Sequence, residues 1–165
     1  MTGGIRIKVC GVTHPDDGAA AVEAGVDLIG LNFVPGSPRR LDLTTAEAIS
    51  NRTAGQVERV AVFSNAPWNE VENVTRRIEL ERIQFHGDES EDEVEMVALP
   101  VIKAVRGADR EAAETIVRLQ RQFEIEAVAF TKERIEWTVL DDSVAEDFEA
   151  ISALEDGEFS VTSYD

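Results

Sequence analysis

Cysteine is almost missing from this sequence: Cys10 is the single one in 165 residues. No internal disulfide can form, and such usage fits a reducing cytoplasm. Histidine is scarce too. His14 and His86 stand far apart with no cysteine pair beside them, so there is no zinc signature and no metal is expected. Neither G-x-G-x-x-G nor G-x-x-x-x-G-K-[ST] occurs, which disfavours a nicotinamide or P-loop nucleotide site, and no cofactor is expected. No apolar run approaches the roughly 18 residues that cross a bilayer. Met1 to Gly4 lack the charged-then-apolar order of a signal peptide.

Positive charge is also in short supply. Lys and Arg number 16 against 33 Asp and Glu, for a formal net charge of −17. Phosphate backbones and anionic membranes would be repelled, which excludes nucleic acid and membrane as general partners. An anionic small molecule needs a local cluster of cations and backbone N–H groups. Only Lys8, Lys103 and Lys132 are lysines. Salt adaptation and genomic base composition explain that acid-rich, lysine-poor surface equally well.

What is present is a rhythm. Hydrophobic residues make up 43%, enough for a core. Short apolar runs at Ile5–Cys10, Leu28–Phe33, Arg59–Phe63, Arg82–Phe85, Pro100–Val105 and Trp137–Leu140 read as strands. Amphipathic segments separate them. Asp16–Ala24 stops at Gly25, a natural C-cap. Thr44–Arg52 has a threonine cap with Glu47 three residues on, and Ser90–Leu99 has Ser90 with Glu93. Pro67–Ile78 starts on a proline, and Asp109–Phe123 aligns Ile116, Leu119, Gln120 and Phe123 on one face. Strands alternating with helices predict an α/β fold with a parallel sheet, closed as a barrel or left open. The organisation expected is a domain over residues 1–142 and an acidic helix and tail over residues 143–165.

Polar or reactive residues collect at the ends of the predicted strands. Cys10 closes Lys8-Val9-Cys10-Gly11-Val12-Thr13, where a thiol would be useful; its bland alternative is a small buried hydrophobe. Arg39 and Arg40 end a turn-rich loop and suggest a bound anion, or a solvated pair. Gln84 and His86 end Ile83-Gln84-Phe85-His86-Gly87-Asp88-Glu89; His86 is a substrate contact or a satisfied structural histidine. His14, before a proline, reads as structural. Lys103 within Val101-Ile102-Lys103-Ala104-Val105-Arg106 is costly unless it points into a pocket or pairs with a carboxylate. Asp141 and Asp142 follow Thr138-Val139-Leu140 as a general acid or as a helix cap. Such strand ends are what a barrel with its active site on the carboxyl face would show.

KVCGVT, DLIGLNFVPGSPR, RVAVF, IQFHGDE and VIKAVR, in this order and spacing, resemble the phosphoribosylanthranilate isomerase family, from about Ile5 to Arg106 and on to Asp141. The resemblance implies a (β/α)8 TIM-barrel type fold and a cofactor-free Amadori rearrangement in tryptophan biosynthesis. N-(5′-phosphoribosyl)anthranilate would become 1-(2-carboxyphenylamino)-1-deoxyribulose 5-phosphate. It places Cys10 as general base and Asp141 as general acid, with Asp142 as fallback. Arg39, Gln84, His86, Lys8 and Lys103 fall on substrate-binding positions. The family's later glycine-rich segments do not appear, so the barrel is expected to be incomplete, with about six βα units, a divergent tail and open sheet edges through which the chain could self-associate. The alternatives are a non-catalytic homologue that binds a small anion or a partner chain, and a sugar-phosphate lyase or epimerase of barrel type.

Overall fold

Capping chemistry fixes most helix ends in the computed structural model, which describes residues 6–106, 114–119, 126–130, 135–139 and 161–162. Helix α1 (Pro15–Glu23) begins under His14, whose Nδ1 accepts the Asp16 N–H at 3.2 Å. His14 is therefore structural, as its place before a proline suggested. The helix ends at Gly25, whose φ of +81° is the left-handed turn glycine adopts without strain. Helix α2 (Leu43–Thr53) is capped by Asp42 rather than by the expected Thr44: the carboxylate accepts the Thr45 N–H at 2.8 Å and its hydroxyl at 3.0 Å. A carboxylate satisfies the free N–H groups of a first turn and also complements the helix dipole. Helix α3 (Trp68–Arg77) follows Pro67. Helix α4 (Glu91–Glu95) carries the expected reciprocal box between Ser90 and Glu93 but is shorter than the sequence suggested. Pro100 disfavours helix at the residue before it.

The chain divides into two compact units, residues 7–101 and residues 1–6 with 102–165. In the first, β1 (Lys8–Cys10), β2 (Leu28–Asn32), β3 (Glu58–Phe63) and β4 (Arg82–Phe85) pair in order and all in parallel. The chain then approaches β4 again, where the Ile83 N–H donates to Pro100 O at 3.0 Å. One contact shows that the sheet curls. Lys8 Nζ on β1 donates to Gln84 Oε1 on β4 at 2.6 Å, although two strands lie between them. In a flat sheet three strand spacings would hold these backbones about 14 Å apart. The concave face is therefore the one bearing Lys8, Cys10, Gly30, Val62 and Gln84, which the register aligns.

The convex face buries Ile29, Leu31, Ala61 and Ile83 completely, together with Ile49 of α2 and Val71 and Val74 of α3. Each large aliphatic side chain so buried contributes about 1.5–3 kcal/mol. Toward the carboxyl ends Phe33, Phe63 and Phe85 form a row, with ring centroids 5.4 and 6.5 Å apart. This architecture is α/β of the (β/α)8 type, incomplete.

The second unit holds most of β5 (Val101–Arg106), then β6 (Glu126–Phe130), β7 (Ile135–Val139) and β8 (Val161–Thr162). Strand β6 runs parallel to β5, β7 antiparallel to β6, and β8 parallel to β7. Residues 114–119 are helical, with Ile116 and Leu119 buried as their spacing predicted. Here the expected order needs correction. The run expected as the sixth parallel strand, Trp137–Leu140, falls on the seventh strand, β7, which is antiparallel to β6; Leu140 lies outside the described residues. Glu126–Phe130, not anticipated as a strand, is the sixth. Four residues separate β6 from β7, whereas a parallel crossover needs a dozen or more, so the two can only pair as a hairpin. The acidic helix and tail expected over residues 143–165 lie outside the described residues apart from β8.

Candidate active site

The carboxyl ends of β1 to β4 converge in the first unit, and two glycines make room there. Cys10 ends β1. Its neighbour Gly11 has a φ of +80° and donates its N–H to Gly30 O at 3.0 Å. A Cβ on Gly11 would collide with Cδ of Arg39, so the arginine's methylenes lie directly on this turn. Gly30 sits beside Cys10 in register, and a Cβ there would stand 2.6 Å from Cys10 Sγ. Thiol and arginine thus share one strand mouth, each occupying space that a side chain would fill. The thiol is solvent-exposed.

The loop carrying Arg39 is held by its own polar groups. Asn32 Oδ1 accepts the Val34 N–H at 2.7 Å, Asn32 Nδ2 donates to Ser37 Oγ at 3.2 Å, and that hydroxyl accepts the Arg39 N–H at 3.2 Å. The two arginines then diverge. Arg40 pairs with Glu70 of α3 at 3.1 Å, while no carboxylate among the described residues pairs with Arg39. A guanidinium kept out of ion pairs in so acidic a chain is available to an anion.

On the same concave face, buried Gln84 bridges two partners. Its Oε1 takes the Lys8 ammonium, and its Nε2 lies 3.3 Å from His86 Nδ1. With the carbonyl engaged by a cation, the amide NH2 is the group facing the ring, and Nδ1 is the acceptor. The backbone of His86 is tied to β3 through its N–H to Phe63 O at 2.8 Å. The structure therefore brings together Lys8, Gln84 and His86, and separately Cys10 and Arg39, on one unit. Lys103 lies in the other unit, buried, with Nζ 3.5 Å from Ala104 O. Asp141 and Asp142 lie outside the described residues.

Sequence reading overlooked Gly30, Asn32, Asn65 and Glu89. A glycine inside an apolar strand is a signal of close approach by another group, and Gly30 carried it. Asn65 has a φ of +50°, a conformation asparagine tolerates better than most residues, but nothing in the sequence marks it.

At the opposite ends of the strands, Arg59 of β3 is buried and binds Glu81 through two nitrogens while also donating to Ser50 O and Oγ of α2. Burial raises the Glu81 carboxyl, but hydrogen bonds and charge from Arg59 outweigh it and hold the group below its ordinary value. The same bonds raise Arg59. This cluster fastens strand to helix and sits away from the thiol. Among the described residues no three His, Cys, Asp or Glu side chains are placed to hold a metal ion, and no helix is long and apolar enough to cross a membrane.

A curled parallel sheet with helices outside, a thiol and a guanidinium at its carboxyl ends and a Lys–Gln–His chain on its concave face define an α/β-barrel protein with a candidate site where such folds bind substrates. The particular family follows from comparison. Residues 7–151 match the family model described as N-(5′-phosphoribosyl)anthranilate isomerase, and the chain belongs to that family. It is similar to the N-(5′-phosphoribosyl)anthranilate isomerase of Myxococcus xanthus, 45% identical over 102 residues that cover 62% of this chain and 48% of the relative. That of Rubrobacter xylanophilus is 41% identical over 116 residues, 68% of this chain and 56% of the relative. Among solved structures, phosphoribosyl anthranilate isomerase from Thermotoga maritima superposes with a TM-score of 0.71 at 30% identity, covering 78% of this chain and 62% of that one. A phosphoribosyl anthranilate isomerase structure in complex with reduced 1-(o-carboxyphenylamino)-1-deoxyribulose 5-phosphate gives a TM-score of 0.70 at 31% identity, with 78% of this chain and 66% of that one covered. The chain spans about half the length of the curated relatives it matches.

Proposed function

We propose that this chain carries the amino-terminal part of an isomerase site that converts N-(5′-phosphoribosyl)anthranilate to 1-(2-carboxyphenylamino)-1-deoxyribulose 5-phosphate, in the cytoplasm and without a cofactor. The single observation that carries the reading is the Cys10 thiol resting on Gly30 with the Arg39 stem against the adjoining turn. In this reading a general acid, assigned to Asp141 with Asp142 as its fallback, protonates the furanose ring oxygen. The C1′–O bond breaks as the nitrogen lone pair forms a Schiff base. Cys10 then takes the proton from C2′, and the C2′–H electron pair moves to give an enolamine. Loss of the hydroxyl proton and gain of one at C1′ yield the ketone. Arg39 is assigned to an anionic group of the substrate, and Lys8, Gln84, His86 and Lys103 are assigned to substrate binding. Family membership and the geometry at Cys10 favour this over a non-catalytic anion-binding homologue.

The test follows the fluorescent anthranilate substrate with the purified 165-residue chain. Turnover should be measurable and should fall by about 10²- to 10⁴-fold in Cys10→Ala, the range a positioned acid or base contributes. A folded wild-type chain without turnover, or a Cys10→Ala chain with normal turnover, refutes it. The partner side of the proposal is a second copy of the chain joined through the edge of β1, which ends the sheet order among the described residues and exposes Ile7 and Val9.

A further inference from the structure

Glu89 is buried, ionisable and absent from the chemistry above. It follows β4, in the turn that leads to α4. Its Oε1 accepts the Asn65 N–H at 2.7 Å from the loop after β3, and its two oxygens accept the Gly87 N–H at 3.2 and 3.0 Å. Asn65 completes the clasp, since its Oδ1 accepts the Asp88 N–H at 2.7 Å. The two loops fit so closely that a Cβ on Gly87 would stand 2.5 Å from Asn65 Oδ1. Gly87 is bonded covalently to His86, His86 Nδ1 meets the Gln84 amide, and Gln84 holds the Lys8 ammonium two residues from Cys10 on one face of β1. The carboxylate therefore stands at one end of a chain of contacts that ends at the Lys8 side chain, which shares a face of β1 with Cys10. A buried carboxylate with N–H donors from two loops fixes both, because leaving those donors unmet is costly.

We propose that Glu89 is a positioning residue for the thiol site: by locking the His86–Gly87 turn to the β3 loop it aims His86 at Gln84, and so keeps the Lys8 cation on the face that carries Cys10. This rests on the reading of that face as the active site.

The experiment needs no turnover. Cys10 is the lone cysteine, so the rate of alkylation by iodoacetamide at pH 7 reports on it alone. His86 and His14 are the two histidines, so their ring proton resonances separate a local change from a general one. In Glu89→Gln the His86 resonances should shift while those of His14 stay, and alkylation should slow severalfold as the Lys8 cation is released from the face that carries Cys10. Gln84→Ala should slow it to a similar extent, and the double variant should be no slower than Gln84→Ala, because both changes cut one chain of contacts. Gly87→Ala, which forces the clasp open with Glu89 intact, should reproduce the effect and serves if Glu89→Gln does not fold. Unchanged His86 resonances and alkylation in folded variants, shifts in both histidines alike, or additive slowing in the double variant would overturn the proposal. An inactive wild-type chain with these responses intact would instead sink the isomerase reading alone.

Discussion

Cys10 and Gly30 are register partners on neighbouring strands, and the sulfur of one occupies the space where the other would carry a side chain. Gly30→Ala tests what that space is for. The added methyl would meet Sγ at 2.6 Å and the Cys10 Cα at 3.1 Å, so either the thiol rotates or the strands part. Overpacking of this kind costs about 1–3 kcal/mol. Displacing a reacting group by an ångström costs about 100-fold in rate. The expected result is a folded protein of lower melting temperature whose turnover, followed by anthranilate fluorescence, drops far more than its stability. Normal turnover would show that the thiol's position is immaterial.

Adjacent arginines with different surroundings should behave differently. Arg40 is spent on an exposed ion pair with Glu70, while Arg39 lies on the Cys10–Gly11 turn with no carboxylate partner among the described residues. An exposed pair contributes about 0–1 kcal/mol, so Arg40→Ala should leave both stability and KM near wild type. Arg39→Ala should raise KM for the anionic substrate and flatten its dependence on salt. Equal effects of the two substitutions on KM would remove Arg39 from the binding role.

Acid should loosen the strand ends opposite the thiol. The folded-state carboxyl of Glu81 titrates below its ordinary 4.5. A depressed carboxylate stabilises the fold fully above the unfolded value, and the contribution fades as pH falls through that value toward the folded one. Arg59 stays protonated throughout, since its own shift is upward. The melting temperature of wild type minus that of Glu81→Gln should thus be positive at neutral pH and shrink below about pH 4.5. Arg59→Ala should cost about 2 kcal/mol, less than the loss of a fully buried pair, because the Glu81 side chain is 37% exposed. A difference that stays constant from pH 7 to pH 3 would mean that the pair does not contribute through ionisation.

The first hundred residues were legible because local and global signals agree there. Apolar runs, a proline, a glycine stop and the Ser90–Glu93 box each specify an end or a face without help from distant residues. The strand-mouth positions of Cys10, Arg39, Gln84 and His86 followed from those boundaries. Glu126–Phe130 escaped because glutamate and alanine are poor strand formers, and its strand character is set by pairing with β5. The antiparallel turn of β7 depends on the length of the link before it, which counts only once both strands are known. The bond from Lys8 to Gln84, and the clasp between Asn65 and Glu89, join residues 76 and 24 positions apart, a kind of proximity that no local pattern encodes.

Charge and the edge of β1, which no other strand among the described residues pairs with, act in opposite directions, so the proposed self-association should be sensitive to salt. Ile7 is 52% exposed and Val9 39%, yet Ile29, the register partner of Val9 on β2, is fully buried. An edge strand that no other described strand covers, beside exposed apolar side chains, favours pairing with a second copy. A net charge of −17 on each copy opposes it. Screening shortens the range of that repulsion to about 10 Å at 0.1 M salt and about 3 Å at 1 M, whereas hydrophobic contact is not weakened. Light scattering coupled to size exclusion should therefore show a dimer fraction that grows with protein concentration and with KCl. Val9→Lys should abolish it by placing a charge on the edge strand. A monomer at every concentration and salt level would refute self-pairing, and the edge would then need no partner copy.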